Sequence, residues 1–295
     1  MHVFVTGANG FIGTSVVKEL IAAGHNVLGM ARSDEGAKSL ATLGADVHRG
    51  SLEDLDSLRQ GAAAADAVIH LAFIHDFSKF VENCAIDRHA IEALGSVLVG
   101  SDRPLIVTSG VAGIAAPGQI ATEDDVPPPD LPSPRVSEQT ALAFVSKGVR
   151  ASAMRLPQVH DPIKQGFVSY IIAVAREKGV SAYVGDGLNG LAAAHVSDVA
   201  RLYRLALEKN EAGARYHAVA EEGVPMRDIA ETIGRGLNVP VKSISAAGSQ
   251  AHFGWLSMFL SLNLTASSAI TRHKLGWNPT EPSLIADLEK MNWRS

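Results

Sequence analysis

Val3-Phe4-Val5-Thr6-Gly7-Ala8-Asn9-Gly10-Phe11-Ile12-Gly13 sets the reading of the whole chain. Val3, Phe4 and Val5 form a short apolar run, the mark of a buried strand. Gly7, Gly10 and Gly13 follow at intervals of three. Ile12, Val16, Val17, Leu20 and Ile21 then fall on one face of a helix that Gly24 stops. Strand, glycine turn and helix in that order make a phosphate cradle. The first glycine permits a tight turn, the second lets backbone approach a pyrophosphate, and the third lets helix pack on strand. The free N–H groups of the helix start favour phosphate. That dipole contributes about 0.3–1 kcal/mol when exposed and up to ~2 when partly buried, so its main effect is to position the ligand. The G-x-x-G-x-x-G spacing differs from the common G-x-G-x-x-G fingerprint.

Outward from the loop, apolar runs and helical patterns alternate. Strands are expected at His25–Met30, Asp46–Arg49, Ala67–Ala72, Leu105–Val107 and Gly148–Pro157. Helices are expected at Asp34–Leu43, Leu52–Gln60 with Ser51 as its cap, Val81–Val99, Ser137–Lys147 and Ile163–Lys178. Unbroken alternation is the signature of an α/β fold, a doubly wound parallel sheet of Rossmann type. Ligands on such sheets bind at the carboxyl ends of the strands. Arg32 and Ser33 stand at the tip of the second strand, where an acidic residue would take a ribose 2′-hydroxyl and an arginine a 2′-phosphate. The planar fork of arginine suits phosphate, so NADP(H) is the expected cofactor. NAD(H) is the alternative, with Asp34 at the ribose. Thr108 and Ser109 end the fifth strand with hydroxyls, which either meet a substrate or satisfy loop backbone. The proline-dense stretch Ala121–Pro134 excludes helix and central strand and is expected as an exposed, stiff loop at the mouth of the site.

Composition narrows the function classes. The 295 residues, 46% hydrophobic, allow a large core with a second lobe. A net charge of -5 without blocks of like charge gives no reason to expect nucleic acid or a membrane surface as partner. Cys84 is the only cysteine, so no internal disulfide forms, which fits a reducing compartment. Met1 runs directly into the first strand, leaving no room for a signal peptide, and a cytoplasmic location is expected. No apolar run reaches the ~18 residues of a spanning helix; Phe253–Leu264 reads as a core or pocket helix. His70, His75 and Asp76 cluster without metal-ligand spacing, so no metal is expected.

The Thr6-Gly7-x-x-Gly10-Phe11-Ile12-Gly13 wording resembles the short-chain dehydrogenase/reductase superfamily, in particular its extended epimerase and dehydratase branch. Tyr183–Gly187, Ala194–Ala200 and Leu275–Pro279 are similar to further segments of that branch. The resemblance implies one unit in two parts. Residues 1–160 with about 190–222 would bind NAD(P), and about 161–189 with 223–295 would form a smaller, discontinuous substrate lobe. It implies cofactor contacts at Gly7, Asn9, Gly10, Phe11, Ile12 and Gly13 and at Arg32 and Ser33. Further contacts are implied at Ser51 and Leu52, at Leu71, Ala72 and Phe73 beneath the cofactor, at Thr108, and at Pro157, Gln158 and Val159 beside the nicotinamide. It also implies a homodimer through the helices at 81–99 and 137–147.

The family's Tyr-x-x-x-Lys pair has no counterpart. With Ser137 matched to the serine that often precedes the lysine, Pro134 falls at the tyrosine and Glu138 at the lysine. Tyr170, Tyr183, Tyr203 and Tyr216 have Val174, Gly187, Leu207 and Ala220 four residues on. A positioned acid or base is usually worth ~10²–10⁴ in rate, so another group must supply the proton. The catalytic candidates are Ser109, Thr108 and His160, with His195 and Asp198 behind them; His160 titrates near working pH or is a structural histidine. The expected function is an atypical NAD(P)-dependent oxidoreductase of a small carbonyl or alcohol. The alternatives are a nucleotide-sugar-type epimerase or dehydratase and a non-catalytic redox sensor. His252, Phe253, Trp255, Met258 and Phe259 are expected in the core or on a pocket wall for an apolar substrate.

Overall fold

The computed structural model describes residues 1–116, 118–127 and 133–293. Its strands are β1 (His2–Thr6), β2 (Asn26–Ala31), β3 (Asp46–Arg49), β4 (Ala67–His70), β5 (Pro104–Gly110), β6 (Arg150–Leu156), β7 (Gln158–His160), β8 (Ser181–Val184), β9 (Gly190–His195), β10 (Arg215–His217), β11 (Glu221–Pro225) and β12 (Val241–Ile244). Seven form a parallel sheet in the order β10-β6-β5-β4-β1-β2-β3. The order reverses between β1 and β4, and the crevice outside their carboxyl ends is the binding position of such sheets. Two small sheets, β11-β9-β7 and β12-β8, lie beyond β6 in the chain.

The helices are α1 (Phe11–Ala22), α2 (Asp34–Thr42), α3 (Leu55–Ala63), α4 (Phe80–Leu98), α5 (Ser137–Leu142), α6 (Val168–Lys178), α7 (Val196–Lys209), α8 (Met226–Leu237), α9 (Ala246–Phe253), α10 (Ser257–Leu260), α11 (Ala269–Leu275) and α12 (Leu284–Lys290). Successive strand side chains point to opposite faces. Val3 and Val5 therefore pack with Val16, Leu20, Val199 and Leu202 of α1 and α7. Phe4 packs the other way, with Leu58, Ile91 and Leu94 of α3 and α4. Burial on both faces explains why these strands read as continuous apolar runs. A third core joins α6, α8 and α12 through Ile171, Ile233 and Leu288. Trp277, from the far end of the chain, is buried in the first core. Its indole N–H donates to the Asp198 carbonyl at 3.0 Å, and the Thr280 and Glu281 N–H groups donate to the Asp198 carboxylate at 3.1 and 3.0 Å.

Several local expectations are corrected. Ser51 does not cap a helix; Asp54 does, accepting from the Ser57 N–H at 3.0 Å, and α3 starts at Leu55. Residues 161–164 form a turn in which Asp161 accepts from the N–H groups of Ile163 and Lys164, so α6 starts only at Val168. Phe253–Leu264 is not one helix, because Gly254 takes a φ of +57° and breaks it. The start of the proline-dense stretch is not exposed. Ala121 and Glu123 are buried, and Glu123 accepts from the Thr271 N–H at 2.7 Å. Residues 128–132 of that stretch lie outside the described residues. Among the described residues no helix is long and apolar enough to cross a membrane.

Candidate active site

A cleft of about 780 Å³ opens at the carboxyl ends of the central strands. Its floor is the glycine loop. Gly7 takes a φ of +67°, and a Cβ there would come within 2.8 Å of the Ala72 nitrogen. A Cβ on Gly13 would run into the Gly7 carbonyl oxygen, so α1 packs against the turn only without one. Gly10 starts α1 with no side-chain cap. The first N–H groups of the helix are left without a side-chain acceptor beside the cleft, as a diphosphate cradle requires. Gly7, Asn9, Gly10, Phe11, Ile12 and Gly13 all line the cleft. Ser51, Leu52, Leu71, Ala72, Phe73, Pro157, Gln158 and Val159 line it as well.

At the β2 end, Arg32 lines the cleft, exposed and with no ion-pair partner among the described residues. Asp34 is turned away onto Arg49 at 2.9 Å. Ser33 is not on the cleft. Its hydroxyl accepts from the Gly36 N–H at 3.1 Å and caps α2, and it borders a separate recess of about 190 Å³ with Asn9 and Ser39. Asn9 lines both spaces, so Ser33 stands beside the cleft rather than in it.

At the β5 end, Thr108, Ser109 and Gly110 line the cleft. Thr108 Oγ1 donates to the His70 carbonyl at 2.8 Å. Its single proton is thereby used, so the Tyr203 hydroxyl, 2.8 Å away, must donate to it. Thr108 is therefore not free to donate to a substrate, whereas the Ser109 hydroxyl has no protein partner among the described residues. His160 is also corrected as a catalytic candidate. It is fully buried off the cleft, and its Nδ1 bonds the Asp287 carboxylate at 2.8 Å. The His195 ring stands perpendicular at 5.7 Å, and Glu221 approaches Nε2 to 3.9 Å. Burial holds the His160 pKa below its usual value despite the Asp287 charge. His195 caps α7, and Asp198 holds the Trp277 segment; neither lines the cleft.

Glu138, at the position matched to the family's lysine, is buried away from the cleft. It takes Arg155 in two bonds of 2.7 Å and Arg215 in one of 2.6 Å. Burial alone would raise its pKa, but the two guanidinium groups outweigh burial and bring it below the usual value. The residue that does reach the cleft from this segment is Arg135. Its guanidinium lies 4.3 Å over the Phe73 ring. Its Nε donates to Ser137 Oγ at 3.2 Å and its Nη2 to the Thr108 carbonyl at 3.3 Å. Ser137 in turn donates to the buried Asp87, which bonds His70 at 3.2 Å, and His70 bonds Thr6 at 2.8 Å. One polar chain thus ties Arg135 to the residue before Gly7.

Sequence reading missed Arg135 and most of the aromatic outer wall, having offered only Trp255 of its rings as a core or pocket-wall residue. Phe77, Phe167 and Tyr170 line the cleft, and Phe77 stacks on Trp255 at 4.7 Å. Tyr170 sets its edge against both rings, at 6.1 and 5.3 Å. His75 stands at the mouth, its pKa lowered by burial and then by the Arg135 charge. The one sequence signal for Arg135 was a cation beside the position of the absent tyrosine. Among the described residues no group of three or more His, Cys, Asp or Glu is placed to hold a metal.

A family model described as "NAD dependent epimerase/dehydratase family" matches residues 3–220. Uncharacterized proteins of Schizosaccharomyces pombe and Saccharomyces cerevisiae are 50% and 44% identical, each over 98% of both chains. A sterol-4-alpha-carboxylate 3-dehydrogenase (decarboxylating) of Dictyostelium discoideum is 30% identical, covering 77% of this chain and 73% of its own. Among solved structures, MoeE5 in complex with UDP-glucose and NAD superposes with a TM-score of 0.74 at 23% identity, covering 100% of this chain and 98% of its own. The dTDP-glucose 4,6-dehydratase DesIV of Streptomyces venezuelae, with NAD bound, superposes with a TM-score of 0.76 at 19% identity, covering 99% and 96%.

Proposed function

The chain belongs to the NAD-dependent epimerase/dehydratase family, and on that premise we propose that it is an NADP(H)-linked oxidoreductase of a small carbonyl or alcohol. The observation that carries the reading is the Ser109 hydroxyl, without a partner among the described residues at the tip of β5, in the same cleft as the glycine cradle. A nicotinamide dinucleotide held there supplies or accepts the hydride. The α1 N–H groups hold its diphosphate, and Gly7 and Gly13 keep that approach open. Arg32 takes the 2′-phosphate, since it lines the cleft while Asp34, paired with Arg49, does not. Ser109 donates a hydrogen bond to the oxygen of the reacting carbon. Without a tyrosine acid, turnover is slower than in relatives that have one, by up to the ~10²–10⁴ a positioned acid gives. The aromatic outer wall favours an apolar carbonyl compound over a sugar nucleotide. A relative named as a sterol carboxylate dehydrogenase points the same way.

Following NADPH oxidation with ketones, aldehydes and quinones tests this. Turnover on at least one class is expected. Tight NADPH binding without turnover on any supports the second reading, a redox sensor, which the missing Tyr-x-x-x-Lys pair favours. Arg32→Ala is expected to weaken NADPH binding roughly 10- to 100-fold, the worth of a charge-assisted phosphate contact, and NADH binding less than about twofold. Equal losses would remove the NADP(H) assignment.

A further inference from the structure

The cleft holds a second arginine that the dinucleotide does not account for. Arg32 follows β2 and Arg135 bonds the end of β5, three strand positions apart in the sheet. At about 4.8 Å per strand the two tips are separated by ~14 Å. One phosphate cannot serve both, and the diphosphate cradle at β1 lies between them.

Arg135 is also held in place before any ligand arrives. Phe73 supports the plane of its guanidinium, Ser137 fixes Nε and the Thr108 carbonyl fixes Nη2. Its Nη1 is bonded to no described residue. No carboxylate among the described residues pairs with it directly; the buried Asp87 is linked to it through Ser137. Among the described residues lining the cleft the only carboxylate is Glu53, on the β3 side. A guanidinium fixed by three contacts, with unused donors and no carboxylate of the described residues beside it in the cleft, matches a planar carboxylate or phosphate. Because it bonds the carbonyl of Thr108, that anion would sit one residue from the Ser109 hydroxyl. The aromatic rings of Phe77, Phe167 and Tyr170 form the wall beyond.

Resting on the proposed oxidoreductase reading, we infer that the substrate is an oxo acid, or the matching hydroxy acid, with an apolar body. Arg135 binds its carboxylate, Ser109 bonds its reacting oxygen, and the aromatic wall takes its apolar body. Reduction moves a hydride from the nucleotide to the carbonyl carbon and a proton from solvent to its oxygen. The nucleotide is oxidised and the carboxylate is untouched. Because Arg135 bonds the carbonyl next to Ser109, an acid whose carboxylate lies near its reacting carbon, such as a 2-oxo or 3-oxo acid, fits the pair best.

Steady-state kinetics with benzoylformate and its methyl ester test the inference in the wild type, Arg135→Gln and Arg135→Lys. NADPH binding by calorimetry confirms that each variant is folded. The ratio of kcat/KM for acid over ester is expected to fall roughly 10- to 100-fold in Arg135→Gln, mainly through KM of the acid. Arg135→Lys, with charge but no fork, is expected in between. Titration of mandelate into the NADP⁺-loaded protein gives a readout apart from turnover, and Arg135→Gln should weaken its binding by a similar factor. An unchanged acid-to-ester ratio, or reduction of esters with no binding of mandelate, overturns the inference. If no carbonyl compound consumes NADPH, the oxidoreductase reading fails and the mandelate titration decides alone. Binding that Arg135→Gln loses keeps the anion site; equal binding, or none, removes it.

Discussion

Glu138 shows how a single position can leave a family's chemistry. Matched to a catalytic lysine, it instead holds Arg155 and Arg215 in a buried cluster. Breaking such a cluster by removing one partner costs about 3–5 kcal/mol, because the remaining charges stay buried and unpaired. Glu138→Lys adds a third cation there. It is expected to lower unfolding free energy by at least ~3 kcal/mol in urea denaturation and to restore no activity. A loss below ~1 kcal/mol would show that the cluster relaxes into solvent. At this scale legibility followed sequence distance. Gly7, Gly10 and Gly13 were readable because their constraints are local, each within a few residues. Arg135 was not, because Phe73 and Thr108, which orient it, arrive from the loop after β4 and from the end of β5.

At the scale of elements, β7 and α12 meet through His160 and Asp287, and this contact predicts the acid response of the fold. Burial keeps His160 from its proton in the folded state, although Asp287 and Asp161 favour the charge and His195 opposes it. The unfolded histidine takes up a proton near pH 6.5. Below that pH the unfolded state therefore binds more protons, and stability falls as pH drops. Glu221 acts in the opposite sense, since burial and Asp287 raise its pKa and the folded state gains its proton first. His217, likewise held below its usual value by burial, adds to the histidine effect. Calorimetric Tm is expected to fall between pH 7 and 5.5, and His160→Asn to make that fall shallower. An unchanged slope would assign the response elsewhere. The alternation of strand and helix was legible because both faces of the sheet are buried and each strand reads apolar throughout. Helix starts were less so: Ser51 and Asp54 are both competent caps, and the choice went to Asp54 because Leu52 is needed in the core.

For the whole molecule, the substrate side of the cleft is assembled from three distant stretches: Phe77 after β4, Phe167 and Tyr170 at α6, and Trp255 after α9. No sequence window contains the wall, so composition offered only an aromatic-rich segment whose default role was packing. Aromatic contacts of this kind are worth about 0.5–1.5 kcal/mol beyond area burial. Phe77→Ala is expected to raise KM for aromatic carbonyl compounds roughly 3- to 10-fold. NADPH affinity should hold, because the ring stands on the substrate side. An equal loss of both would mean that the wall supports the nucleotide instead.

The position of Trp277 limits how this protein can be recombined. A segment well past residue 220 plugs the core shared by α1 and α7 and hangs from Asp198. A chimera joined near residue 222, taking one partner's nucleotide half and another's C-terminal portion, would inherit a foreign plug in its own interior. Exchange of specificity between relatives should therefore succeed by grafting wall residues such as Phe77 and Tyr170, and fail by swapping the tail as a cassette.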